Sequence, residues 1–440
     1  MDKQVHARRR AKFIEAMGEG VAIIPAAPVF IRNNDVEHDY RQDSDFYYLT
    51  GFDEPDSVLV LENGPDHRRA TLFVRKRDAE REIWDGKRAG VDGAIAEFGV
   101  DAAHPIEEFA DRLPDLLENV RRVYYRLGHD RAFDDRVLSA VAEVRRRARL
   151  GVRAPVEFVD SGDYLHAERL IKDPTELDLI EKAGSISRLA HLRAMEVALP
   201  GAYEYEVEAE LLRVFRAHGS ERPAYGSIVG SGPNATILHH RRNDRQMQAG
   251  DLVLIDAGAE FGYYASDVTR TFPISGRFTA PQRKLYDLVL NAQLAAIGAV
   301  RPGVTFNSVH EAALQVLVAG LIDLGLVEGP LDQAIEEKRY TAYYMHRTSH
   351  FLGMDVHDVG YYYEDGQSRL LEPGMVLTVE PGLYVGVDAQ APEEFRGIGI
   401  RIEDDIAVTA DGHRNLTPNI PKDADEVEVL LARRDALAAQ

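Results

Sequence analysis

A chain of 440 residues, 45% hydrophobic and 28% charged, has ordinary globular composition and enough length for roughly two or three domains. Its 73 acidic against 52 basic residues leave a formal charge of -21, which repels phosphate backbones and anionic lipid and argues against nucleic-acid and membrane partners. With no Cys, disulfides, thiolate metal sites and Cys nucleophiles are excluded, and a reducing cytoplasm is the fitting compartment.

The N-terminal stretch "MDKQVHARRRAKFIEAMGEG" is basic but lacks an apolar h-region, and "VAIIPAAPVFI" is too short to span a bilayer and carries Pro25 and Pro28. A cytoplasmic protein is expected. Up to about residue 160, short apolar runs ("GVAIIPAA", "DSVLVLEN", "RATLFVRK", "VRRVYYRLG", "VEFVDS") alternate with helical stretches ("IEEFADRLPDLLENV", "FDDRVLSAVAEVRRRARL"), the pattern of an α/β layer domain. Trp84, the only tryptophan, sits in "EREIWDGKRAG", which reads as an exposed loop, where a lone large aromatic needs a reason. In "IKDPTELDLIEKAGSISRLAHLRAMEVAL", Asp173 suits an N-cap, Pro174 the first helical position and Glu176 the capping-box position. A long helix and a new domain start there, dividing the chain into 1–170 and 171–440. Further helices ("EYEVEAELLRVFRAHG", "APQRKLYDLVLNAQLAAIGAV", "TFNSVHEAALQVLVAGLIDLG") and strands joined by short turns ("DLVLIDAGAEFGYYASDVTRTF", "GMVLTVEPGLYV", "GIGIRIEDDIAVT") predict an α+β domain with an antiparallel sheet.

Four carboxylates end or interrupt apolar strand patterns: Asp256 after "LVLI", Asp267 after "GYYAS", Glu380 after "MVLTV" and Glu403 in "GIGIRIEDDI". Burying an unpaired carboxylate costs several kcal/mol or forces protonation, so a cation is expected among them. Any one alone reads as a strand-end cap or an ion pair; four together do not. Period-two alternation places Arg401, Glu403 and Asp405 on one face and Ile400 and Ile402 on the other. Three of the 15 histidines, His346, His350 and His357, fall within "HRTSHFLGMDVHDVG", whereas His191 and His310 lie in helical patterns as solvated or core-edge residues. "HEAAL" at 310–314 lacks the second histidine of a zincin helix, because Leu314 stands there. "VGSGPNATILHH" is no phosphate loop but a turn, with His239 at its end facing the same site, and no GxSxG elbow is present. A thiolate-free set of carboxylates and imidazole favours Mn²⁺, Co²⁺ or Zn²⁺. Four carboxylates offset two such ions, which can bind roughly 3.5–4 Å apart and activate water between them.

Asp256, Asp267, His350, Glu380 and Glu403, in the contexts "LIDAG", "SDVTRTF", "SHFLGMDVHDVG", "TVEPGLY" and "GIRIEDD", closely resemble the metal-ligand pattern of the pita-bread metallopeptidases, in particular the Xaa-Pro aminopeptidase (aminopeptidase P) family. The segment "RNNDVEHDYRQDSDFYYLTGFDEPDSVLVL" is similar to that family's N-terminal domain, so the resemblance covers nearly the whole chain. It implies an α/β N-terminal domain followed by an α+β pita-bread catalytic domain with a mainly antiparallel curved sheet. It also implies release of the N-terminal residue from peptides with proline second. By the same resemblance Asp256 chelates one metal, Asp267 and Glu403 bridge two, and His350 and Glu380 complete the other, with Mn²⁺ the first candidate and Zn²⁺ or Co²⁺ the others. Glu380 shuttles a proton to the departing nitrogen and His357 stabilises the tetrahedral intermediate. His239, His346, His357, Arg401 and Tyr384 contact or support substrate. Trp84 lines the pocket of a neighbouring subunit in a homo-oligomer, a dimer or tetramer. The competing expectations are a prolidase confined to Xaa-Pro dipeptides, some members of which hydrolyse organophosphate esters, and a non-catalytic pita-bread binding protein.

Overall fold

A computed structural model describes residues 2–65 and 67–438, and along the chain it divides into two compact units between Glu168 and Arg169. In the first unit the five apolar runs form strands at Gly20–Pro25, Val58–Asn63, Arg68–Val74, Arg122–Tyr124 and Glu157–Val159. A sixth strand, Ala102–Pro105, has no apolar run to announce it and takes one edge of the sheet beside Arg68–Val74. The sheet is mixed: Val58–Asn63 runs antiparallel to both neighbours, and the three outer pairings are parallel. Helices Phe109–Leu116 and Arg131–Arg146 cover it, with Phe109, Leu113, Val137 and Val141 against Val21, Ile23, Val58 and Val60. Each such fully buried aliphatic side chain stabilises by about 1.5–3 kcal/mol.

Trp84 lies not in a loop but on a short helix, Ala79–Asp85, started by Asp78, whose carboxylate accepts from Glu80 N and Arg81 N. That helix buries none of its residues, and Trp84 is 84% exposed beside Ile83 at 81%.

In the second unit the predicted capping box is present. Asp173 Oδ1 accepts from Glu176 N and Glu176 Oε2 accepts from Asp173 N, each at 3.0 Å, to start helix Pro174–Val197. This helix and Glu204–Ala217 bury Ile186, Ala190, Val207, Leu211 and Phe215 against Val253, Ile255 and Phe272. Helices Ala280–Ala299 and Phe306–Asp323 bury Leu285, Val289, Leu314 and Leu317 against Val379, Leu383, Ile400, Ile402 and Ile406. His191 is fully buried rather than solvated or at the core edge, its Nε2 3.0 Å from Ala257 O, and burial pushes its pKa down to about 4. His310 is the core-edge residue expected, bonded through Nδ1 to Thr348 Oγ1 at 2.8 Å.

The strands between these two cores are antiparallel. Leu252–Asp256 pairs with Ile228–Ser231 on one side and Thr269–Pro273 on the other, so "VGS", read above as part of a turn, ends a strand. Val376–Val379 pairs with Asp404–Val408, and Gly382–Val385 with Ile398–Arg401. Both pairings lapse together: Val379 faces Asp404 and Gly382 faces Arg401, which leaves Glu380 and Glu403 in the interruption. No helix among the described residues is long and apolar enough to cross a membrane.

Candidate metal centre

The two aspartates of "LVLIDAGAEFGYYASDV" are brought together by a strand end and a turn. Asp256 faces Thr269 across the last rung of its ladder, and the short hairpin Ala259–Phe261/Tyr264–Ala265, turned at Gly262 and Tyr263 with positive φ, returns the chain to Asp267. Gly258 permits the return, because a Cβ there would meet Ser266 O at 1.7 Å. His350 is anchored to the Glu380 strand, since His350 N donates to Thr378 Oγ1 (3.1 Å), Thr378 N to His350 O (2.9 Å) and Glu380 N to Thr348 O (2.8 Å).

All five expected ligands converge. His350 Nε2 lies 3.4 Å from Asp267 Oδ2 and 3.6 Å from Glu380 Oε1, and ligand atoms of Asp267, His350 and Glu403 lie within 4.8 Å of one another. His350 Nδ1 is 3.0 Å from Phe351 O, which fixes that nitrogen as the donor and turns Nε2 toward the carboxylates. Asp256, Asp267 and Glu403 are buried, at 8%, 5% and 2% exposed.

The charges do not balance on protein groups alone. Burial, with Asp267, Glu380 and Asp256 close by, pushes the Glu403 carboxyl well above its ordinary value. Burial lifts Glu380 to about 7 against the pull of His350 and Arg401. Burial also raises Asp256 despite Arg401, whose Nη2 is 2.6 Å from Asp256 Oδ2. Only Asp267 is held low, because His350 outweighs its burial; burial in turn depresses His350, but Asp267 and Glu380 raise it to about 9. The Tyr225 hydroxyl contacts both Asp256 Oδ1 (2.6 Å) and Asp267 Oδ1, yet has one proton to give. Four carboxylates sharing one arginine and one imidazolium need further positive charge to ionise together, and an oxygen-rich, thiolate-free set with one imidazole fits divalent ions.

The other expected site residues take several positions. Arg401 is 3% exposed; besides Asp256 its guanidinium donates to Thr269 Oγ1 (3.1 Å) and Tyr384 OH (2.8 Å). Tyr384 OH therefore gives its own proton to His346 Nε2 (2.8 Å), whose Nδ1–H is left to donate to Arg347 O (2.7 Å). This directional chain holds His346 neutral, and burial with the Arg401 charge lowers its pKa to about 3. His357 reaches solvent, its ring centroid 4.3 Å from that of His350. Partial burial and the His350 charge lower its pKa. His239 is exposed but close enough for its charge to depress both His346 and His357. The alternation of Arg401, Glu403 and Asp405 against Ile400 and Ile402 holds: Glu403 Oε2 accepts from Thr269 Oγ1 (2.6 Å), Asp405 accepts from Asp267 N (3.2 Å), and both isoleucines are buried in the core.

Sequence reasoning missed Tyr225 and Thr269. Thr269 stands two residues after Asp267, and period two would have put it on the same face. Tyr225, in "PAYGS", carries no local signal. A second acid and imidazole grouping, Glu204, His240 and Asp244, differs in kind. Glu204 already accepts from Ser231 N and Oγ, Asn234 Nδ2, His240 Nε2 and Arg245 N, which marks it as the clasp of the 231–245 loop.

Comparison with known proteins gives the family. The profile of Metallopeptidase family M24 matches residues 178–410, and that of the Aminopeptidase P N-terminal domain matches 6–124. Xaa-Pro aminopeptidase of Escherichia coli (strain K12) is 45% identical over 433 residues, 98% of either chain, and that of Haemophilus influenzae is 41% identical over 432 residues, again 98% of either. An aminopeptidase of Pseudomonas aeruginosa superposes with a TM-score of 0.97 at 50% identity, covering 99% of both chains. A variant of Escherichia coli aminopeptidase P in complex with substrate gives 0.97 at 44%, and the zinc-substituted enzyme with product 0.96 at 45%, each covering 99% of both. The chain belongs to metallopeptidase family M24, in its aminopeptidase P branch, and is a metallo-exopeptidase of the Xaa-Pro aminopeptidase type.

Proposed function

We propose that Asp256, Asp267, His350, Glu380 and Glu403 hold two divalent ions, Mn²⁺ first with Zn²⁺ or Co²⁺ as the other candidates, and that the surrounding residues divide the cleavage of the bond before proline among them. The observation that carries this reading is the buried cluster of four carboxylates with too little protein charge to neutralise it. When bound, the metals supply Lewis acidity for activating water and polarising the carbonyl. The departing proline nitrogen, like any amide leaving group, requires a proton delivered to it as the bond breaks. Glu380, its Oε1 3.6 Å from His350 Nε2 within the cluster, is suited to take a proton from water and return it to that nitrogen. His357, solvent-reaching beside His350, donates to the developing oxyanion, and His239 faces substrate with it. Arg401, Tyr384 and His346 form one wall; Arg401 holds Asp256 while its neighbours offer the proline a fixed aromatic surface. The free amine is received near Asp256, which makes removal of single N-terminal residues the outcome.

The reading places the metal chemistry in the division 171–440 and has 1–170 contribute Trp84 to the pocket of a neighbouring subunit, in a cytoplasmic homo-oligomer, dimer or tetramer. Trp84 supports the second part, because it buries nothing on its own helix. Its indole is expected to line a neighbouring subunit's pocket: emission shifts when a proline-containing inhibitor saturates the enzyme, and Trp84→Ala raises KM for longer peptides more than for dipeptides. An unaltered spectrum together with unaltered kinetics would remove Trp84 from the site.

The function is tested by release of the first residue from Xaa-Pro-Xaa tripeptides against cleavage of Gly-Pro. Activity on tripeptides is expected to vanish on prolonged chelation and return with Mn²⁺ or Co²⁺. Cleavage of dipeptides alone would restore the prolidase reading, and full activity without metal would overturn the metal assignment.

A further inference from the structure

Beside the metal centre the second unit has a cavity of about 520 Å³, within the size range of small-ligand sites. Its lining is close to the site along the chain: Arg347 and Ser349 lie within the stretch from His346 to His350, and Tyr361, Tyr362 and Tyr363 follow His357 by a few residues. The aromatic wall is braced, with Tyr362 stacked on Phe351 at 4.8 Å and in edge contact with Phe306, and its hydroxyl accepting from Phe351 N at 3.1 Å. Two polar groups lining the cavity have no partner among the described residues. Arg347 is exposed, and in a chain of net charge -21 none of the ion pairs among the described residues uses its guanidinium. Ser349 is 7% exposed, and its buried hydroxyl makes no hydrogen bond among the described residues. A buried hydroxyl without a partner costs roughly 1–3 kcal/mol, which a rotation of the Ser349 side chain toward a bound ligand would recover. A guanidinium and a hydroxyl over an aromatic wall suit a carboxylate carried on an apolar or peptide body.

We propose that this cavity is a carboxylate-recognising subsite for the part of the peptide beyond proline, with Arg347 and Ser349 as specificity-determining residues. The inference rests on the aminopeptidase reading. An enzyme that removes one N-terminal residue has only that residue on the amine side, so every further residue, and the terminal carboxylate, extends to the leaving side. The carboxylate comes either from the C-terminus of a tripeptide or from an acidic side chain at the third position.

The test compares kcat/KM for Ala-Pro-Gly with a free C-terminus, its C-terminal amide, and Ala-Pro-Asp-amide against Ala-Pro-Asn-amide, in the wild-type holoenzyme and in Arg347→Met. The wild type is expected to favour the free acid over the amide, or Asp over Asn, by about ten- to a hundredfold, the scale of a charge-assisted pair. The pair that shows the preference identifies the source of the carboxylate. Arg347→Met is expected to bring that ratio close to one, mainly through KM. Each ratio is taken within one enzyme preparation, so a change in folded fraction cancels. A variant that keeps the wild-type ratio, or a wild type without preference in either pair, overturns the subsite. Failure of the wild type to cleave any of the four peptides overturns the aminopeptidase reading and the subsite with it.

Discussion

Glu403→Gln is expected to lose divalent-metal occupancy and activity together, while His357→Ala keeps its metal and loses rate by about 10²–10³, the scale of one oxyanion donor. The difference follows from where the two residues stand. Glu403 is 2% exposed among Asp256, Asp267 and Glu380, held by Thr269 Oγ1 at 2.6 Å. Glutamine reproduces the size and the bond from Thr269, because the amide oxygen also accepts. It removes one of four negative charges, and the remaining three no longer match two divalent ions. His357 is solvent-reaching and touches the cluster only through the His350 ring, so its truncation leaves every ligand atom in place. Metal content by elemental analysis, read beside kcat for a Xaa-Pro-Xaa peptide, separates the cases. A Glu403→Gln enzyme retaining two ions and full turnover would refute the bridging role, and near-normal turnover in His357→Ala would take that residue out of the chemistry.

Lys172→Met is expected to cost about 3–5 kcal/mol of stability, the usual result of leaving one member of a buried ion pair behind. Lys172 Nζ is 2.7 Å from Asp358 Oδ2, both side chains are 1% exposed, and Arg169 Nη2 reaches Asp358 Oδ1 at 2.7 Å. Burial pushes the Asp358 carboxyl up, but Lys172 and Arg169 together outweigh it and hold it below its ordinary value. A carboxyl whose folded pKa is depressed contributes stability that is fully present above its unfolded value, about 3.9, and is lost as pH falls through the folded one. Removing Lys172 shrinks the depression, so acid unfolding should begin at higher pH in the variant. Arg169 remains to compensate in part, which places the loss toward the lower end of the range. Since Asp358 directly follows His357, kcat should fall as well, and Lys172→Arg should recover much of both. Denaturant midpoints measured against pH decide the matter, and a Lys172→Met midpoint equal to wild type would show the pair to be dispensable.

Much of this protein is legible in short windows of its sequence. The capping box at Asp173 and Glu176 involves neighbours on one helical turn, and the strand face of Arg401, Glu403 and Asp405 follows from a two-residue period. The four carboxylates stand out for the same reason, because each is a charge at the end of, or within, an apolar run whose local chemistry predicts burial, whereas His350 stands out through a histidine-rich stretch and the family resemblance. Where local signals were weak the reading faltered: Ala102–Pro105 forms a strand through its parallel partner Arg68–Val74, and Trp84, read in a loop, lies on a helix capped by Asp78, just upstream of "EREIWDGKRAG". What only the tertiary structure decided is which charges neutralise one another. Arg401 meets Asp256 from 145 positions away and Lys172 meets Asp358 from 186, and Tyr225 lies between two aspartates with no periodicity to place it there. Side-chain periodicity reports which face of an element is buried. The partner that a buried charge finds is set by packing between elements distant in sequence, because a low-dielectric interior admits only arrangements in which each charge is answered.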